Sequence, residues 1–463
     1  MDENFYQAVS AGQIQPHTPE QMAFFRKLFG VKEDGGGAAA AIPGVGGDAA
    51  APAVGGGSAE MDAEAEAGGG GDDFDESCLY SFKRTAKGVD KQSFELIRVL
   101  GKGSFGKVML VRYKEDGQLY AMKVLKKDML IARRQVEHTK AERNILRSMT
   151  GIPFIVSMKF AFQTPEKLYL ILDFCQGGEL FFHLKAKGRF SEQEVRFYAS
   201  QMVCALEEIH RRDVVYRDLK PENVLLDSDG YICLTDFGLS KENIGSDTEG
   251  TSTFCGTPEY LAPEQLHASA VHGKGVDWWS LGTLLYEMRH GLPPFYSTNT
   301  SQMYEKIAKE ELKLPRHFSP ELGNLLEGLL QRDPAARFNA EQIKAHPFFA
   351  GLEWDKLMAR QYEPPFVPQL AGELDLSYFD RQFTRELPYD SEQEATRMGS
   401  VSGGMFEGFT FDEAAAESML AREDEQMGAM GADDMGSWRN RSTRPLREGD
   451  DDMDELSGNM ESL

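Results

Sequence analysis

The 463-residue sequence predicts an α+β protein, a folded centre of strands and helices held between two acidic arms. Three observations carry that expectation. Strand-like apolar runs come early in the centre: Phe94-Glu95-Leu96-Ile97-Arg98-Val99-Leu100, a second run from Val108, and Tyr120-Ala121-Met122-Lys123-Val124. A helical segment from Val136 to Leu146 follows, with Glu142 on the face it shares with Ile145. Charge is also unevenly divided. Of a formal net charge of −24, residues 1–79 carry −11 and residues 412–463 carry −10, which leaves −3 for residues 80–411.

The first element is a largely disordered acidic arm, residues 1–93. Its residues 35–71 are almost wholly Gly, Ala, Asp, Glu, Pro and Val, too poor in large apolar side chains to offset the entropy of ordering them. Earlier in the arm, Thr18-Pro19-Glu20-Gln21 supplies a cap, a first-turn proline and a capping-box partner, and Gly30 can end the helix. Met22, Phe25 and Phe29 share a face, which either covers the chain's own folded centre or docks a partner. Residues 416–463 mix acids, small residues and methionines without a sustained helical period, and a second disordered arm is expected there. The cysteines at 78, 175, 204, 233 and 255 contain no CxxC and suit reduced thiols. The acidic N-terminus has no signal-peptide pattern, and nowhere do eighteen consecutive apolar residues occur. A soluble intracellular protein without a transmembrane segment is expected, and the negative charge disfavours nucleic acid as a partner.

At the end of the first strand-like run stands Leu100-Gly101-Lys102-Gly103-Ser104-Phe105-Gly106-Lys107-Val108. Its three glycines let a hairpin fold over phosphates and offer them backbone N–H groups, although a Gly-rich turn alone is common. Fifteen residues past Val108, Lys123 sits in an apolar strand, where an ammonium needs anionic company. Glu142 can supply it and so aim the lysine at phosphates, while either residue alone also fits a solvated surface charge.

A second cluster is more specific. Tyr216-Arg217-Asp218-Leu219-Lys220-Pro221-Glu222-Asn223 is followed, thirteen residues after Asn223, by Asp236-Phe237-Gly238. Phosphoryl transfer needs positioning and charge neutralisation more than covalent help. In that chemistry Asp218 accepts or orients a hydroxyl proton, Lys220 neutralises the γ-phosphoryl group, and Asn223 with Asp236 holds magnesium through hard oxygen ligands.

With Ala262-Pro263-Glu264, Asp277-Trp278-Trp279 and Arg332-Asp333-Pro334…Arg337, residues 94–349 resemble a protein-kinase catalytic domain over 256 residues without a gap. The resemblance implies a bilobal fold, with an antiparallel-sheet small lobe, a helical large lobe and ATP between them. The hinge falls near Leu172-Asp173-Phe174-Cys175. Besides the glycine segment, Lys123 and Glu142, the implied nucleotide contacts are Ala121, Asp173, Cys175 and Glu179. Glu264 and Arg337 pair as a strut, and Asp277 braces the catalytic loop.

Tyr216, in place of the histidine commonest there, and Thr253-Phe254-Cys255-Gly256-Thr257-Pro258-Glu259-Tyr260 resemble the AGC group. The likeness continues through Pro364-Pro365-Phe366-Val367-Pro368, Phe379-Asp380-Arg381-Gln382-Phe383-Thr384 and Phe406-Glu407-Gly408-Phe409-Thr410-Phe411, so residues 350–415 are identified as an AGC tail wrapping the small lobe, with Phe379 against the nucleotide. Implied phosphosites are Thr253, met by Arg217 and His138; Thr410, with Phe406 and Phe409 filling a pocket beside the Glu142 helix and basic residues meeting its phosphate; and Ser391, which equally suits an ordinary linker serine. Glu179 and Glu222 match positions that bind arginines upstream of the acceptor, so protein substrates with basic residues before Ser or Thr are expected. Within the group the tail looks most like the ribosomal protein S-six kinases, with another AGC kinase of Akt/SGK type lacking a lipid-binding domain as the alternative. A pseudokinase scaffold is the rival from another class, disfavoured by the complete catalytic set. Implied partners are upstream activating kinases. Phe74-Asp75-Glu76-Ser77-Cys78 is either a partial TOR-recruiting motif or a plain acidic linker. Cytoplasmic residence, extending to the nucleus, is expected.

Overall fold

Short connections between apolar runs favour antiparallel neighbours, and the first strands pair in that way. In the computed structural model, β1 (Phe94–Gly103), β2 (Gly106–Tyr113) and β3 (Leu119–Lys126) form a meander, followed by the helices α1 (Lys127–Ala132) and α2 (Val136–Ser148). β4 (Met158–Gln163) and β5 (Lys167–Asp173) complete the connection, with β5 antiparallel to both β3 and β4. The structure describes residues 88–103, 105–266, 271–390 and 404–414, and from Val89 these belong to one unit. The expected helix at 18–30, Phe74 to Cys78, the arm at 416–463, Ser104 and Ser391 lie outside the described residues.

The three strand-like runs are β1, β2 and β3, and the helical segment is α2, extended to Ser148. Glu142, Arg143, Ile145 and Leu146 lie on the buried side of α2, so this helix brings both apolar and charged groups inward. Gly106 shows why the hairpin needs its last glycine: a Cβ there would collide with the Val124 backbone on β3.

Beyond the hinge, β6 (Gly178–Glu179), β7 (Val224–Leu226) and β8 (Ile232–Leu234) make a small antiparallel sheet beneath the cleft. The helices α3 (Leu180–Lys187), α4 (Glu192–Arg211) and α5 (Gly275–His290) carry the larger lobe. Ser191 and Glu194 close a capping box at the start of α4. Buried residues on every side of α5 make it the lobe's central helix.

The tail then returns over both lobes. At Gly178, φ is +73° and a Cβ would lie 2.7 Å from the Tyr378 carbonyl, so only glycine admits the tail this close to the hinge. Finally β9 (Phe411–Asp412) joins β4 and gives the small lobe a six-stranded sheet, order β1-β2-β3-β5-β4-β9. The bilobal fold and wrapping tail agree with the expectation. Cys175, Cys204, Cys233 and Cys255 are unpaired, and no helix among the described residues is long and apolar enough to cross a membrane.

Candidate active site

Lys123 faces the cleft from the middle of β3, opposite Val108 on β2 and Leu170 on β5. Its ammonium donates to Glu142 at 2.5 Å and to Asp236 at 3.3 Å. Burial alone would lower the lysine's pKa, but Asp236 and Glu142 outweigh it and raise it, so the ammonium stays charged. In return Lys123 holds the Asp236 carboxyl below the usual carboxylate range. Asp236 adopts φ of 60°, a left-handed conformation that turns its side chain into the cleft.

On the opposite wall, the buried Asp277 of α5 accepts N–H bonds from Tyr216 at 2.9 Å and Arg217 at 2.7 Å, with His210 Nε2 at 2.7 Å. It thereby braces Arg217, whose φ of 65° is strained for a side chain that carries a Cβ. Tyr216, the departure from the commoner histidine, packs edge-on against Phe237 with ring centroids 5.2 Å apart and donates its hydroxyl to the Thr235 carbonyl. Asp218 follows directly. One carboxylate oxygen accepts from Lys220 at 2.7 Å and Asn223 at 2.8 Å, and the other from the Thr257 hydroxyl at 3.0 Å. Burial pushes the Asp218 carboxyl up, against the pull of Lys220. Thr257 was not singled out by sequence reasoning, although it lies in the quoted Gly256-Thr257-Pro258 run. Farther down, Arg337 meets both carboxylate oxygens of Glu264 at 2.6 and 2.9 Å, forming the expected strut.

At the hinge, Leu100 and Cys175 are buried and Ala121 is half-buried. The Asp173 carboxylate accepts the Ser157 N–H at 3.1 Å, and its own N–H donates to the Ser157 carbonyl at 3.1 Å. Phe379 stacks on Phe174 of the hinge, centroids 5.7 Å apart, which brings the tail to the cleft's edge. Beyond it, Glu179 and Glu222 come close enough to influence each other's titration, and the structure adds Glu259 and Glu287 to the group. Burial, then the Glu222 charge, pushes Glu179 up to about 7, although it stands at the solvent-facing mouth. Burial pushes Glu287 up to about 8, even though the Tyr260 hydroxyl donates to it. One oxygen of Glu222 and one of Glu259 are buried without a hydrogen-bond partner.

This arrangement sits within a recognisable pair of families: residues 94–349 match the protein kinase domain, and residues 370–411 match the protein kinase C terminal domain. The chain belongs to the protein kinase family, AGC group. It is 53% identical over 344 residues to Protein kinase 2 of Dictyostelium discoideum, covering 73% of this chain and 70% of that relative. Identity is 51% over 304 residues with serine/threonine-protein kinase gad8 of Schizosaccharomyces pombe, covering 65% of this chain and 52% of the relative. For serine/threonine-protein kinase Sgk1 of Xenopus tropicalis it is 50% over 297 residues, 63% of this chain and 71% of the relative. The chain is therefore an ATP-using serine/threonine protein kinase, with protein substrates and upstream regulators.

The segments that carry Thr253 and Thr410 differ in how they are held. Thr253 is exposed, and its N–H reaches the Thr251 hydroxyl at 3.4 Å. Beneath it, Arg217 keeps one buried guanidinium nitrogen without a partner. Burial and the neighbouring Arg217 charge hold His138 below its ordinary pKa. Lys241 joins this basic group and donates to Thr251 at 3.0 Å, a contact that no local motif announces.

Phe406 and Phe409, by contrast, are 0% and 3% exposed. Arg143 of α2 donates to the carbonyls of Gly408, Phe409 and Thr410 at 2.7, 3.1 and 3.0 Å. The phenylalanines fill the expected pocket. Arg143 thus fixes the backbone at Thr410, a residue that is itself exposed.

Proposed function

We propose that this kinase phosphorylates serine or threonine preceded by arginine, and that phosphorylation of Thr253 and Thr410 stabilises its closed geometry. The observation that carries the substrate reading is the convergence of Glu179, Glu222, Glu259 and Glu287, with two buried carboxylate oxygens awaiting donors. Guanidinium forks match such acceptors geometrically and electrostatically.

In the reaction the substrate hydroxyl oxygen attacks the γ-phosphorus, the bond from that phosphorus to the β–γ bridging oxygen breaks, and ADP leaves with the bond's electrons. Asp218 orients the hydroxyl and receives its proton, while Lys220 balances charge on the transferred group. Lys123, fixed by Glu142, reaches the α- and β-phosphates under the loop from Gly101 to Val108. The donor set suits magnesium: Asp236 turns an exposed carboxylate into the cleft, and Asn223 directs its amide nitrogen to Asp218, which frees its oxygen for a cation. Bound magnesium supplies neutralisation of phosphate charge.

Two subfamily readings rest on different observations. The tail sequence supports the ribosomal protein S-six type, with a TOR complex acting on Thr410. The Sgk1 and gad8 relatives support the Akt/SGK-type alternative, and we favour it. A peptide array with arginine placed at each position before the acceptor tests the substrate reading. Selection for upstream arginine is expected, and indifference to it would overturn the reading.

A further inference from the structure

Among the described residues, the tail carboxylate buried most deeply outside the active site is Asp390, whose side chain is 1% exposed. It accepts from Lys167 at 2.5 Å and the Tyr169 hydroxyl at 2.9 Å, both on β5, and pairs with Lys91 at 3.2 Å in the turn before β1. Lys91 also donates to the Asp390 carbonyl at 3.3 Å. These groups hold the Asp390 carboxyl below its ordinary pKa despite its burial.

The segment just before Asp390 reaches both strands of the glycine loop. Lys107 of β2 donates to the Tyr389 carbonyl, and Lys102 of β1 pairs with Glu386 at 2.7 Å. Lys102 and Lys107 stand opposite each other in the hairpin register, so the tail grips the loop on both sides. The Lys102–Glu386 pair is open to solvent and contributes little alone. Its geometry therefore depends on the buried anchor that follows it. A buried carboxylate with two ammonium partners and a hydroxyl donor fixes register far better than an exposed pair.

We propose that Asp390 is a positioning residue for nucleotide binding: it seats the tail on the small lobe so that residues 386–390 hold the glycine loop closed over ATP, without a phosphate on neighbouring Ser391. This rests on the reading of the cleft above. It adds a residue that touches neither nucleotide nor substrate.

The test uses the full chain, with ATP varied at saturating peptide. Asp390→Asn is expected to raise KM for ATP roughly five- to tenfold, with kcat within about twofold. Asp390→Glu should recover part of the loss. Lys91→Met, which removes both Lys91 contacts to Asp390 from outside the loop, should raise KM for ATP about two- to threefold, and Ser391→Ala should leave it within about twofold. Hydrogen exchange at the Gly101–Val108 amides should quicken in Asp390→Asn. If Asp390→Asn fails to fold, Lys91→Met carries the decision. Unchanged KM for ATP in the Asp390 and Lys91 variants would overturn the proposal, as would Ser391→Ala matching Asp390→Asn. Wild-type protein without saturable ATP dependence would overturn the cleft reading itself, whereas normal saturation with indifferent variants would overturn the latch alone.

Discussion

The catalytic loop and the activation segment lie side by side, yet their polar groups are held in opposite ways. Around Asp218 and Asp277 the donors are paired: Asp277 accepts two backbone N–H groups and meets His210, and Asp218 accepts from Lys220, Asn223 and Thr257. Around Thr253 the balance is reversed, with Arg217 keeping a buried nitrogen unpartnered beside Lys241 and His138 while the threonine faces water. The catalytic geometry is thus built into the fold, whereas the ground near Thr253 gathers Arg217, Lys241 and His138 from three different segments, a positive group that an added phosphate could satisfy.

The largest effect should come from the paired side. Asp218→Ala is expected to reduce kcat on the order of 10³-fold with little change in KM for ATP, measured by steady-state phosphate transfer. A loss below tenfold would mean that proton acceptance lies elsewhere. Next comes the Thr253 side: Thr253→Ala should nearly abolish activation, roughly a hundredfold loss after incubation with an activating kinase. Equal activity before and after phosphatase treatment of wild type would break the contrast.

A third variant probes the link between tail and catalytic lysine. Arg143 and Glu142 are sequence neighbours on α2, one holding the tail carbonyls and the other holding Lys123. Arg143→Ala should lower activity about tenfold and the thermal midpoint by a few degrees, since several charge-assisted hydrogen bonds are lost. Thr410→Ala should also lower activity strongly, and an Arg143→Ala enzyme that matches wild type would uncouple the docked tail from Lys123.

The smallest effect concerns pH. Glu179 and Glu287, raised to about 7 and about 8, are partly protonated near neutrality. Arginine is attracted to the ionised form, so KM for an arginine peptide should fall roughly threefold as pH rises from about 6 to about 8. A peptide with alanine in place of arginine should not show that trend. The change should be modest because water screens Glu179 at the cleft mouth.

Residues that act within a short string were legible from sequence, because chemistry dictates their spacing: the glycine loop, Lys123, Asp218 to Asn223, and Asp236. Glu142 was legible for a different reason, since a lysine in an apolar strand demands an anion. Thr257, Glu259, Glu287, Lys241 and Asp390 were not assigned their roles, because each acquires a partner only through the tertiary fold. The contact between Lys167 and Asp390 spans 223 residues, and no local period records it. Likewise β9 contains two residues, too few to show strand alternation, and its pairing with β4 is made by backbone groups. The role of Arg143 was missed for the same reason: its partners are carbonyls, which every residue possesses.

That short strand also bears on how the kinase survives in a crowded solution. Without Phe411–Asp412, the outer edge of β4 would present its main-chain groups at Phe160 and Ala161 as a template for another chain. The pocket that receives Phe406 and Phe409 would open beside it. Docking the tail therefore covers that edge, and a chain without residues 411–412 is expected to aggregate more readily, as light scattering would read.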